Sequence, residues 1–383
     1  MTVDAWLAEH GASLIEVRRD LHRHPELGRQ EHRTTALLVA RLIAAGLHPH
    51  VLAGGTGLVC DVGEGEEFVV LRADLDALPL EDDKHVPYRS QVAGVCHACG
   101  HDVHTAVLLG AGLVLAALGT RGRVRLVFQP AEELMPGGAL DVLQGGWLEG
   151  ASAIFGLHCD PSLEVGYVGL KSGPLTAAAD NVEVRLTGPG GHTSRPQNTV
   201  DLVHVLATVA TGLPAALSRL VDPRAGLCLV WGQVSAGSAR NAIPREGRLA
   251  GTLRVLDPVA WREAPALVER VVQGLVSPYG AAVTVTYERG VPPVVNDPAA
   301  TAVLTAAVAT ALGPHAGVPA VQSLGGEDFA WYLDHVPGAL ARLGVRSPGS
   351  TVVLDLHRPD FDVDEAAIAV GVRVLVASAL GAM

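Results

Sequence analysis

The spacing of apolar and polar positions changes several times along the chain, and each change predicts an element. Residues 4–24 read as an amphipathic helix that Pro25 ends. Thr34 to Ala45 reads as a second helix, closed by Gly46. Three short apolar runs, Phe68–Ala73, Val124–Phe128 and Ala153–His158, read as buried strands. Between the first two lies Ala106–Leu118, a run of thirteen small and aliphatic residues containing Gly110 and Gly112. It is too short to span a bilayer and predicts a buried core helix. Buried strands alternating with helices predict an α/β fold, with a mostly parallel sheet covered by helices on both faces.

The pattern changes after about Ala179. Asn181–Thr187 alternates as a half-exposed strand, and the Gly-rich turn Gly188-Pro189-Gly190-Gly191-His192 follows. Leu202–Leu220 reads as a helix, and Leu227–Val234, Arg248–Arg254 and Val283–Tyr287 as strands. This succession predicts a small α+β insert over residues 180–290, with an antiparallel sheet. Val291-Pro292-Pro293 reads as the linker back to the first domain, which then comprises residues 1–179 and 291–383. Asp364 to Leu380 reads as a closing helix, with Asp364 as its cap.

Composition narrows the class. The chain has 383 residues, 49% hydrophobic and 18% charged, and 28 basic against 40 acidic residues give a formal net charge of −12. That balance predicts a globular protein of two domains. The absence of a basic stripe argues against nucleic acid and anionic membranes as partners. Met1–Leu14 holds Asp4, Glu9 and His10 and does not read as a signal peptide. The five cysteines form an odd, sparse set, which predicts reduced thiols in the cytoplasm, one or more of them on metal. Gly54-Gly55-Thr56-Gly57 lacks the spacing and following helix of a phosphate loop, so nucleotide binding is not expected.

The candidate chemistry gathers at the ends of the predicted strands. His97-Ala98-Cys99-Gly100-His101-Asp102-Val103-His104 packs three histidines, a cysteine and an aspartate into eight residues ahead of the apolar helix. A helix N-terminus favours thiolate and carboxylate. Asp74 and Asp76 stand just past one strand, where paired carboxylates suit the orientation of metal ligands. Another strand ends in Gln129-Pro130-Ala131-Glu132-Glu133. Adjacent side chains at a strand end diverge, so one glutamate can hold metal while its neighbour faces a substrate water. His158 ends a third strand. His22 and His24 have no acidic or thiol partner nearby in sequence and read as structural or substrate-rim residues.

Taken together these stretches resemble the M20 family of metallopeptidases and amidohydrolases. The resemblance is to the branch that hydrolyses N-acyl amino acids: the aminoacylases, hippurate hydrolases and auxin-conjugate hydrolases. It rests on Asp20–Leu27, Arg72–Pro79, His97–Asp102, Phe128–Glu133, Gly156-Leu157-His158, Gly190-Gly191-His192, Asn241–Pro244, Gly325–Phe329 and Leu356-His357, in family order. It implies two divalent metal ions, zinc, manganese, cobalt or nickel, held by Cys99, His101, Glu133, His158 and His357, with Cys99 bridging. Glu132 would be the general base and Asp76 a further catalytic residue. The insert would be a lid and homodimerisation domain. Its His192 would reach the partner subunit's active site, and Asn241 and Arg254 would help hold the substrate carboxylate. The substrate would be a small N-acyl amino acid. A dipeptidase would need an acidic group for a free amine, and none is assignable. A catalytically silent homologue would have lost Glu132 or a ligand, and all are present. Two positions depart from the family pattern. Leu134-Met135-Pro136-Gly137-Gly138 replaces a run of glycines, and Cys159 stands where an apolar residue is usual.

Overall fold

The computed structural model describes residues 1–120 and 122–383. The chain divides into two compact units, Met1–Leu175 with Val295–Gln322 and Asp328–Met383, and Thr176–Val294 with Ser323–Glu327.

The first unit is built on an eight-stranded sheet. Its strands run in the order His50–Val51, Leu58–Val62, Arg123–Gln129, Phe68–Asp74, Ala151–Glu164, Gly338–Arg346, Val168–Leu170 and Gly317–Pro319. The four central strands, Arg123–Gln129 through Gly338–Arg346, are mutually parallel. Val69, Val70 and Leu71 are buried without alternation, as expected where both faces of a parallel sheet are covered. Leu343 packs toward Gly371 of the helix Ala366–Ala382. Leu340, three residues earlier and so on the opposite face, meets Gly156 and Phe329. The register aligns Asp74 with Gln129 and Arg72 with Gly156. The carboxyl ends of three neighbouring strands therefore open onto one edge, where parallel sheets commonly bind ligands.

The helix His101–Leu118 is the core of this unit. It is buried on almost every side and packs against Val3–Arg23 and Ala366–Ala382. It is long and apolar enough to cross a membrane, but its apolar surface is spent inside the protein. Among the elements of this unit that the sequence pattern does not predict, two are long. The helix Pro298–Leu312 is apolar all round, so it carries no amphipathic period; Asp297 caps it by accepting from Ala300 N at 2.8 Å. The central strand Gly338–Arg346 mixes glycine, alanine and arginine with its aliphatic residues. The closing helix begins at Ala366 rather than Asp364, although Asp364 still accepts the Ala366 N–H at 3.0 Å.

The second unit is α+β. Its antiparallel sheet runs Cys228–Ala236, Glu246–Val255, Ala178–Thr187, Ala282–Val291. Along Ala178–Thr187 the residues Asp180, Val182, Val184 and Leu186 are buried and alternate with more exposed neighbours. The helices Leu202–Leu220 and Pro258–Val276 bury matching stripes, Leu202, Val205, Val209, Leu213 and Leu217 on one, and Trp261, Ala264, Val268, Val272 and Val276 on the other. A small ribbon pairs Gly191–His192 with Ala242–Ile243. The unit also takes in Ser323–Glu327, which the sequence pattern assigns to the second stretch of the first domain.

Candidate metal and catalytic centre

The helix His101–Leu118 starts abruptly because Gly100, at φ 87°, turns the chain in the left-handed region. A β-carbon at Gly100 would lie 2.7 Å from Cys159 Sγ, so only glycine fits. The turn leaves Cys99 just before the helix and His101 at its first position, both buried. Cys99 Sγ lies 3.5 Å from His158 Nε2; His158 does not end its strand as the sequence pattern predicts but lies within Ala151–Glu164, which pairing with Gly338–Arg346 carries six residues further. His357 enters from the last polar loop with φ 62°, its N–H bonded to Ala98 O at 2.8 Å, and its Nε2 lies 3.3 Å from Glu133 Oε1. Such a backbone angle in a bulky residue is held by its surroundings and is commoner at functional sites.

His101 is the hub. Its Nε2 lies 3.8 Å from Asp74 Oδ1, 3.8 Å from Glu132 Oε2 and 3.9 Å from Glu133 Oε1, and its Nδ1 lies 3.4 Å from Asp76 Oδ1. These acceptors surround the ring, yet among the described residues neither nitrogen has a hydrogen-bond partner, nor does the buried Glu133 Oε1. Buried polar atoms are almost always satisfied. Donor atoms of Cys99, His101 and His158 lie within 4.8 Å of one another, as do those of Cys99, Glu133 and His357, and of His101, Glu132 and Glu133. Thiolate, imidazole and carboxylate atoms converge here around a His101 ring that bonds none of them, and such a donor set fits a pair of divalent cations. The electrostatics agree. Burial pushes the Cys99 thiol well up, which a bound cation would reverse. Burial also opposes charge on His101, but Asp74 and Cys99 outweigh it and raise its pKa.

Behind these groups stands a rigid support. Asp76 accepts the backbone N–H of both Glu132 and Glu133, at 3.0 and 2.9 Å. Asp74 accepts from His104 Nδ1 at 2.6 Å, and His104 Nε2 in turn accepts the Cys159 N–H at 2.8 Å, which fixes the tautomer of His104. Arg72 clamps Asp74, Gln129 and Asp328 from within the core. The sequence pattern points to Asp74 and Asp76 as orienting carboxylates. It gives no role to His104, Arg72, Asp328 or Glu31, whose partners, apart from Asp74 beside Arg72, are distant in sequence. Glu31 accepts the Ala131 N–H at 2.7 Å.

His22 is buried and structural: its Nδ1 bonds Asp102 at 2.7 Å and its Nε2 lies 3.3 Å from Asp82. Together with Cys96 these atoms make a second three-donor group, but the Lys84 ammonium already sits 3.1 Å from Asp82 and 3.6 Å from Cys96 Sγ. That position is filled by the protein's own cation.

The remaining candidates lie in the second unit. His192 pairs in register with Ala242, and Thr193 N–H bonds Asn241 O at 3.3 Å, so His192 and Asn241 are neighbours. His192 Nδ1 accepts the Ser194 N–H at 3.1 Å, which leaves its proton on Nε2. Arg254 is elsewhere. It stands next to the last residue of Glu246–Val255, whereas Asn241 precedes the first, and its Nη1 donates to Leu324 O at 3.0 Å.

Comparison with known proteins fixes the class. Residues 70–380 match the peptidase family M20/M25/M40. A Bacillus subtilis N-acetyl-L-cysteine deacetylase is 38% identical over 359 residues, covering 93% of this chain and 84% of that protein. The crystal structure of a Bacillus subtilis protein described as a dinuclear metal-binding peptidase from the M20 family superposes with a TM-score of 0.85 at 34% identity, covering 97% of this chain and 98% of the other. A Rhodococcus jostii protein carrying a glutamate–cysteine ligase name is 51% identical over 365 residues; the match covers 95% of this chain but only 46% of that protein, so the chain spans about half its length. Fold, site and relatives define a hydrolase of amide C–N bonds with a dinuclear metal site. The chain belongs to the M20/M25/M40 peptidase family.

Proposed function

We propose that the protein is a metal-dependent amidohydrolase that cleaves small N-acyl amino acids to a carboxylic acid and a free amino acid. One observation carries the reading: the unpartnered nitrogens of buried His101, ringed at 3.4–3.9 Å by Asp74, Asp76, Glu132 and Glu133. The N-acyl class is supported by the deacetylase relative.

Cys99, His101, Glu133, His158 and His357 would hold the metals. A pair of divalent cations there supplies Lewis acidity toward the amide carbonyl and acidifies water. Glu132 accepts the water's proton and delivers it to the leaving amine. Asp76 fixes both glutamates by their backbones and so orients the base. His192, with its proton on Nε2, donates to the carbonyl oxygen as negative charge develops. Asn241 and Arg254 bind the substrate carboxylate. Asn241 precedes the strand Glu246–Val255 and Arg254 lies near its far end, a separation that fits their being supplied by two chains of a homodimer. Five free cysteines suit a reducing compartment, the cytoplasm.

The test is release of free amino acid from a panel of N-acetyl and N-benzoyl amino acids. The panel includes N-acetylcysteine and simple dipeptides, run with zinc, manganese, cobalt and nickel. Chelation should abolish turnover and metal add-back restore it. Metal-loaded protein that turns over no member of the panel, or a verified metal-free sample with full activity, would refute the proposal.

A further inference from the structure

Glu31 occupies the N-cap position of the helix His32–Ala44, where serine, threonine, aspartate or asparagine would bond the first free N–H groups. Its side chain makes no capping bond. It is fully buried, and its Oε1 accepts the N–H of Ala131, one hundred residues further along, at 2.7 Å. The Glu31 backbone is itself pinned. Thr35 Oγ1 donates to Glu31 O at 2.6 Å and accepts the Gly57 N–H at 2.9 Å.

Ala131 is one of three described non-glycine residues with positive φ, at 55°. Its carbonyl accepts the Gly138 N–H at 3.0 Å. The next two N–H groups, of Glu132 and Glu133, both go to Asp76. Three successive N–H groups are thus taken by two buried carboxylates. An alanine leaves the left-handed region unless its surroundings hold it there. Asp76 holds the two glutamates, and only Glu31 holds the N–H of the residue that turns the chain into them. Release of that N–H lets the peptide before Ala131 rotate. The direction in which the Glu132 side chain leaves the backbone is set by this turn.

We infer that Glu31 is a positioning residue for catalysis: by accepting the Ala131 N–H it holds the left-handed turn that aims the Glu132 carboxylate. The inference rests on Glu132 being the base. What matters is an acceptor at the right reach, not charge. Glutamine keeps the reach, aspartate keeps the charge but is one methylene short, and leucine keeps neither.

The experiment uses metal-loaded full-length protein and three readouts: bound metal, kcat and KM on the best N-acyl amino acid, and hydrogen–deuterium exchange of the segment 124–138. Glu31→Leu and Glu31→Asp should retain metal and lose on the order of 10²-fold in kcat, the scale of an ångström-sized misplacement, with KM within about threefold. Exchange in the segment should speed up in both. Glu31→Gln should retain most of kcat and the slow exchange. Adding Ala131→Gly to Glu31→Leu should recover part of kcat, because glycine accepts positive φ without penalty. An active Asp variant beside an inactive Gln variant, unchanged exchange in the Asp variant, or a kcat loss cured by excess metal would overturn the inference. If Glu31→Leu does not fold, the Gln–Asp contrast decides alone. If the wild type cleaves no amide, the functional reading fails separately, and exchange still reports whether Glu31 holds the turn.

Discussion

Glu132 and Glu133 are neighbours in sequence with the same support and different surroundings. Both approach His101 Nε2, at 3.8 and 3.9 Å, but Glu133 Oε1 also lies 3.3 Å from His357 Nε2 and shares a donor group with Cys99 whose atoms lie within 4.8 Å of one another. Glu132→Gln should therefore keep both metals and lose roughly 10²–10⁴-fold in kcat, while Glu133→Gln should lose metal. The reverse pattern in metal analysis would exchange the two roles. His22 makes a second prediction, about stability. Burial opposes its charge, but Asp102 and Asp82 overcome this and raise its pKa from 6.5 to about 9. A raised folded-state value stabilises fully below pH 6.5, and the contribution disappears as pH rises through about 9; its upper limit is on the order of 3 kcal/mol. The thermal midpoint should fall between those pH values, and less steeply in His22→Gln. Parallel slopes would remove His22 from the account. At this scale the sequence makes carboxylates, thiol and imidazoles legible by type and spacing. It does not make Glu31 or His104 legible. Their partners, Ala131 and Asp74, are 100 and 30 residues away, and only the packing of the sheet edge brings them together.

The ligand geometry depends on where the helix His101–Leu118 begins, and that depends on Gly100. Alanine there meets positive φ and a contact of 2.7 Å with Cys159 Sγ. Gly100→Ala should cost about 2–5 kcal/mol, the sum of a left-handed residue and overpacking. Removing the sulfur with Cys159→Ala should restore the overpacking share and leave the backbone share. Denaturant unfolding of the single and double variants, all metal-free, measures this; strict additivity would mean that the sulfur is not what Gly100 accommodates. The departure of Cys159 from an ordinary apolar residue thus acquires a packing partner. Elements with a clear pattern were legible, such as the helix Leu202–Leu220 by its period and the strand Phe68–Asp74 as a continuous apolar run. The strand Gly338–Arg346 was not, although it lies at the centre of the sheet, because its alanines and glycines give no period of two or 3.6. Its place is set by pairing with Ala151–Glu164, which is long-range information.

At the scale of the whole molecule the metal-type ligands and Glu132 belong to one unit, and His192, Asn241 and Arg254 to the other. The apolar period changes near residue 180, close to the start of the second unit at Thr176, while the excursion Ser323–Glu327 has no such marker in the sequence and follows from contacts alone. Within the second unit, His192 and Asn241 sit together on the ribbon before Glu246–Val255, and Arg254 stands eight residues along that strand from Glu246, about 26 Å at the usual rise. His192 is exposed and keeps Nε2–H free to donate, as a group that acts on another molecule should. If each active site takes His192 from one chain and its metals and Glu132 from the other, catalysis requires a dimer even though each chain carries a full ligand set. His192→Ala and Glu132→Gln proteins should then each be nearly inactive. When their subunits exchange, a heterodimer has one site with neither defect: Glu132 from the His192→Ala chain meets His192 from the Glu132→Gln chain. Its other site carries both defects, so a heterodimer should reach about half the wild-type rate per dimer, and a fully exchanged equal mixture about a quarter. The readout is turnover before and after exchange, with heterodimers isolated by two different affinity tags and metal content verified. Inactive heterodimers with full metal would mean that His192 serves its own chain or does not act in the reaction.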